Sequence, residues 1–170
     1  FTPALALGQN TPAGCVITND DALAQKTRRI LAQNVAFQMP AMQAALLQNL
    51  VPQAVEHWIE SRQKAAAWYA EGLAGVPVQL APVPPAEVSP TYTAYALRAD
   101  RAAELKAFLA KHHIEAALAF DGFSIPQTLP CARQAQQETL LLPMFPNITP
   151  EQVERVCETV RDFYEEDATL

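Results

Sequence analysis

Five prolines stand at positions 77, 82, 84, 85 and 90, and each fixes its own φ and removes a backbone donor. Neither a central strand nor a helix can run through such a segment. Apart from a brief strand over residues 78–80, this stretch reads as an extended linker. It separates a helical first part from a second part in which strand and helix signals alternate.

Before the linker, the apolar run at residues 15–18 follows Gly14 and precedes Asn19 and Asp20, the pattern of a strand that stops at a helix cap. Asp20 can accept bonds from the free amides of the next turn, and Leu23, Thr27, Ile30, Leu31 and Asn34 follow at helical spacing. A second helix opens at Pro40, where a missing amide proton is harmless. Its apolar set includes Met42, Leu46, Leu50, Val51, Val55, Trp58, Ile59, Arg62, Ala66, Tyr69 and Leu73, and apolar residues fall on more than one side of it. Pro52 should kink or break it, and Gly72 and Gly75 end it. A helix of about thirty residues is long for a globular protein, which marks it as a connector between two bodies or a dimer-forming surface.

Beyond the linker, Tyr92, Ala94 and Ala96 alternate with Thr93, Tyr95 and Leu97 as a strand, and Asp100 is placed to cap a helix with Leu105, Phe108 and Leu109 inward. Residues 114–120 make a second strand, 132–138 a short helix and 139–142 a third strand. Thr149, Pro150 and Gln152 then form a capping box for a last helix with Val153, Val156, Val160 and Phe163 along one side. The reading is an α+β protein: long connecting helices, then a small three-stranded sheet domain packed with helices on one face. The division falls after residue 76, with 1–76 as one part and 77–170 as the small domain.

Composition excludes several function classes. A net charge of −6 and a pI near 5 leave no basic surface for nucleic acid. No stretch reaches the roughly 20 apolar residues of a membrane span, and the start lacks the segments of a signal peptide. The chain reads as cytoplasmic, and its start at Phe1 reads as a cut end. Cys15, Cys131 and Cys157 are odd in number and widely spaced, which argues for buried thiols over a disulfide or zinc site. His112 and His113 follow Lys111 at a helix end, where cations favour the carbonyl pole, so they read as a helix terminus and not a metal pair. His57 reads as the border of an amphipathic helix. Ser89 and Ser124 have no general base near them in sequence, and the glycines are too dispersed for a phosphate-cradling loop.

Three patches, taken in order, carry a resemblance: Gly14-Cys15-Val16-Ile17-Thr18-Asn19-Asp20, then Met39-Pro40-Ala41-Met42-Gln43-Ala44-Ala45, then Leu142-Pro143-Met144-Phe145-Pro146-Asn147-Ile148-Thr149. Together they resemble the second half of the DegT-type sugar aminotransferases, enzymes dependent on pyridoxal phosphate (PLP). The resemblance implies the small lobe of the PLP-transferase fold, preceded by a remnant of the large lobe over residues 1–76. In that family a lysine about nine residues before the first Gly holds the cofactor as an imine. The ungapped position here is Leu5, which can neither form an imine nor accept a proton. The family's asparagine and arginine at the cofactor phosphate fall on Ala36 and Gln38. Losing two charge-assisted bonds at roughly 1.5–3 kcal/mol each weakens phosphate binding by about two to four powers of ten. The carboxylate that faces the ring nitrogen lies, in the family, upstream of the lysine. The sugar-shaping Leu-His pair is absent after residue 120.

The resemblance therefore implies no catalytic residue, no bound cofactor and no metal: a degenerate domain that works in assembly or binding. Its expected partners are a second copy or the missing N-terminal half, met through residues 39–73. Two alternatives stand beside this reading. One is the C-terminal part of a PLP-dependent nucleotide-sugar aminotransferase, with Lys26 or Lys64 as the nearest lysines; the other is a regulatory domain that binds a small ligand at residues 120–126.

Overall fold

The computed structural model describes residues 16–33, 41–53, 57–85 and 87–167. The chain forms two compact units, Phe1–Glu56 and His57–Leu170. The expected division after residue 76 lies inside the second unit, because the helix that precedes the linker packs on the last helix of the chain.

In the first unit, α1 spans Asp21–Ala32, and the Asp20 carboxylate accepts from the amides of Ala22 at 2.8 Å and Leu23 at 3.1 Å. The cap is the one the sequence predicts. Residues 16–18, expected as strand, carry no regular structure, and Val16 and Ile17 are largely exposed. Among the described residues no strand lies beside this run, and an unpaired apolar run has nothing to hold it extended. Helix α2 spans Ala41–Gln53, with Pro52 in its last turn. The next described helix, α3, spans Ile59–Gly72, and residues 54–56 of the expected long connecting helix lie outside the described residues. Cys15, Asn34 and Pro40 lie outside the described residues.

The second unit is built on an antiparallel sheet of order β1-β2-β4-β3, formed by Gln79–Leu80, Tyr95–Arg98, Ala117–Leu118 and Thr139–Leu142 for β1 to β4. The brief strand in the proline segment becomes a fourth, edge strand, with Gln79 opposite Arg98 and Leu80 opposite Leu97. An edge is the one place where so proline-rich a segment can pair. In the centre, Tyr95 lies opposite Leu142 and Leu97 opposite Leu140. These four side chains face inward and are buried.

Helix α4 spans Ala102–Lys111, α5 Pro130–Glu138 and α6 Pro150–Asp167. The N-cap of α4 is Arg101, with no side-chain cap bond, instead of the expected Asp100. There the turn is closed by backbone, as the Ala102 amide donates to the Ala99 carbonyl at 3.2 Å. At the start of α6 the capping box is complete: the Gln152 amide donates to Thr149 Oγ1 at 3.3 Å and the Thr149 amide to Gln152 Oε1 at 3.0 Å. Val153, Val156, Val160 and Phe163 are all buried, as their spacing predicts.

Two strands are shorter than their alternation suggests, and each is clipped by a positive φ. Tyr92 at 42° delays β2 until Tyr95, while His113 and Phe120, both at 60°, bracket the segment that contains β3. Non-glycine residues in this conformation belong to turns. Helices α3 and α6 approach so closely that a Cβ built on Gly72 would lie 2.7 Å from Cys157 Sγ. Arg161 Nε then donates to the Gly72 carbonyl at 3.2 Å, closing the C-terminal end of α3.

Candidate functional site

The positions that the family resemblance singles out, Leu5, Ala36 and Gln38, lie outside the described residues, as do Met39 and Cys15. Of the two alternative lysines, Lys26 stands on α1. Lys64 is exposed on α3 and its Nζ lies 2.7 Å from Glu60 Oε1. That hydrogen bond holds the Glu60 carboxyl below the usual carboxylate range, so this lysine is an ordinary surface ion-pair partner.

The loop at residues 120–126 is held by its backbone. Gln136 Nε2 donates to the carbonyls of both Phe120 and Phe123 at 2.8 Å, and Gly122 turns the chain at φ 84°. The two phenyl rings meet edge to face at 6.5 Å between centroids. Phe120 is 58% exposed and Phe123 70%. A rigid, exposed aromatic pair is a platform on which a flat or sugar-like face could rest.

The larger described cleft of the second unit, about 420 Å³, has a floor of Ile114, Pro143, Ile148 and Val156 and a polar rim that includes His113, Glu115 and Arg155. A smaller one of about 210 Å³ lies between Gly75, Pro77, Arg161 and Tyr164. No lysine lines either cleft. An aldehyde cofactor needs an amine within a pocket to form its imine, and neither of these two clefts has one among its lining residues.

Among the described residues no cluster of three or more His, Cys, Asp and Glu could hold a metal ion. His112 and His113 end α4, and the His112 carbonyl accepts from Arg155 Nη2 at 3.1 Å. Ser89 Oγ accepts from Gln63 Nε2 at 2.9 Å. Cys131 is exposed and Cys157 buried, neither in a disulfide. Burial pushes the Cys157 thiol up to about 11, so it stays protonated and poorly nucleophilic near neutral pH. No helix among the described residues is long and apolar enough to cross a membrane.

Sequence reasoning did not anticipate the larger cleft, because its walls come from three separated segments. It did include Arg62 in the apolar set of the expected connecting helix, and the arginine is buried at 8% exposure.

Comparison with known proteins returns the same family that the three patches suggest. The chain is 34% identical to a pleiotropic regulatory protein of Geobacillus stearothermophilus, over 96% of this chain and 50% of that protein. It is 27% identical to the dTDP-3-amino-3,4,6-trideoxy-alpha-D-glucose transaminase of Streptomyces venezuelae, over 97% and 49%. Among solved structures, DesV of S. venezuelae in complex with a ketimine intermediate superposes with a TM-score of 0.71 at 27% identity, covering 88% of this chain and 46% of that one. The chain thus spans about half the length of the curated relatives it matches. A model of the DegT/DnrJ/EryC1/StrS aminotransferase family matches residues 2–161, and with the fold described above this chain belongs to that family.

Proposed function

We propose that this chain serves as an assembly or binding unit, a DegT-type domain without transaminase activity of its own. The observation that carries this reading is α1. Its apolar residues recur on one side, yet none of its residues is buried: Leu23 is 47% exposed and Leu31 41%. Met42 and Leu46 on α2 are likewise exposed, at 77% and 50%. Apolar side chains gathered at helical spacing and left in water are the mark of a surface meant to be covered.

Within residues 39–73, the inward side of α3, with Ala65, Ala66 and Tyr69, is spent in the core of its own unit. This supports a docking surface on α1 and α2 instead. Its occupant is a second copy of the chain or a large lobe of the kind that makes up the other half of the relatives. Leu5, Ala36 and Gln38 support the absence of bound PLP, and the unpaired thiols of Cys131 and Cys157 support a cytoplasmic setting.

Sedimentation equilibrium at micromolar concentration tests the proposal. The expected outcome is a species of twice the chain mass or more. A compact monomer that binds no apolar dye would reject it.

A second reading, the C-terminal part of a PLP-dependent nucleotide-sugar aminotransferase, is favoured by the transaminase name of one relative and by the half-length match. A third, a regulatory domain that takes a small ligand at residues 120–126, is favoured by the pinned aromatic pair.

A further inference from the structure

Arg62 is a buried cation without a counter-charge among the described residues. It keeps only 8% of its surface and shares the inward side of α3 with Ala65, Ala66 and Tyr69. Its Nε is shut off from solvent and has no hydrogen-bond partner. Ion pairs among the described residues join Lys64 to Glu60, Arg98 to Glu138 and Arg101 to Glu104, and none of them reaches Arg62. Arginine is almost never buried unless it is paired.

The turn that carries it is fixed on both sides. Ser61 Oγ accepts from the Asn147 amide at 3.2 Å, while Gln63 Nε2 donates to Ser89 Oγ at 2.9 Å and to the Pro90 carbonyl at 3.0 Å. The two residues that flank Arg62 are thus tied to the loops at residues 89–90 and at 147. Its planar fork of donors matches one class of partner above others, the two oxygens of a phosphoryl or carboxylate group.

We propose that Arg62 anchors an oxyanion site, taking the phosphoryl or carboxylate group of a small ligand where α3 meets the loops at residues 89–90 and 147. The fold has already taken Nε out of water, so an arriving oxyanion forms its charge-assisted bond there without that part of the desolvation cost. Affinity and stability should then rise together.

The test is calorimetric titration and thermal unfolding of the 170-residue chain with potassium phosphate and with sodium succinate, each against sodium chloride at equal ionic strength. The melting temperature should rise in at least one oxyanion above its value in chloride. A larger response to phosphate assigns the site to phosphoryl groups, and a larger one to succinate assigns it to carboxylates. Arg62→Met keeps the volume and removes the charge: it should melt in chloride at or above the wild-type temperature and bind the same oxyanion about ten-fold or more weakly. Arg62→Lys, with charge but no fork, should fall between. Equal affinity in all three proteins, or no oxyanion-specific rise in the wild type, would overturn the proposal. So would a loss of several degrees in chloride for Arg62→Met with recovery in Arg62→Lys, because the chain itself would then supply the partner.

Discussion

Tyr69→Ala should lower the melting temperature of the second unit by on the order of 15 °C, from about 3–5 kcal/mol of lost packing in a domain of this size. Tyr69 is fully buried and stacks on Tyr95 with ring centroids 4.7 Å apart. Its hydroxyl donates to the Pro143 carbonyl at 2.8 Å, joining α3 to the end of β4. Truncation to alanine removes the ring, the stacking and the bond in one step. Tyr69→Phe keeps the ring and leaves the Pro143 carbonyl without this donor, so it should cost only about 1–2 kcal/mol. Thermal denaturation followed by circular dichroism separates the two. If both variants lose the same amount, the hydroxyl bond and not the ring is what matters here. If neither shifts, α3 is not part of the core of this unit.

The double substitution Leu23→Glu with Leu31→Glu should weaken association by about a hundred-fold or more, since two carboxylates would have to be desolvated in the contact. Folding should hardly notice, because exposed positions tolerate change within about 0.5 kcal/mol and glutamate is a good helix former. A fall in association with an unchanged melting temperature is the signature of an interface. Sedimentation of the variant beside the wild type checks it. Undiminished association would move the docking surface away from α1, and a melting temperature lowered by many degrees would mean that α1 is packed within its own unit.

What the residues disclosed in advance, and what they hid, follows physical lines. Local chemistry was legible: Asp20 caps α1, Thr149 and Gln152 form their reciprocal box, and the valines of α6 are buried at the spacing that predicted them. Each of these depends on residues within a few positions of one another. Strand ends were less legible, because His113 and Phe120 adopt positive φ without the glycine that would announce it. The edge strand β1 was visible as a brief run, but its pairing with β2 is long range and no local pattern encodes it. Asp100 shows the converse error. A good capping residue stands beside a helix start, yet the backbone closes that turn through Ala99 and Ala102.

The functional reading was legible through patches and not through a site. The family was recognisable from three patches, which lie in order along a match covering residues 2–161, whereas the larger cleft joins residues 113–115, 143–148 and 152–156, whose convergence only the fold supplies. Arg62 is an intermediate case. Helical spacing put it in the apolar set of its helix, but spacing cannot tell whether a buried charge has found its partner.

The central claim is that this DegT-family chain acts without the cofactor chemistry of its transaminase relatives. The most direct measurement is titration of the 170-residue chain with an equimolar amount of PLP, followed by borohydride reduction and intact mass spectrometry. The account predicts an absorption spectrum equal to the sum of protein and free cofactor, and an unmodified mass. A protein-bound yellow band that reduction converts into a stoichiometric adduct on one lysine would contradict it.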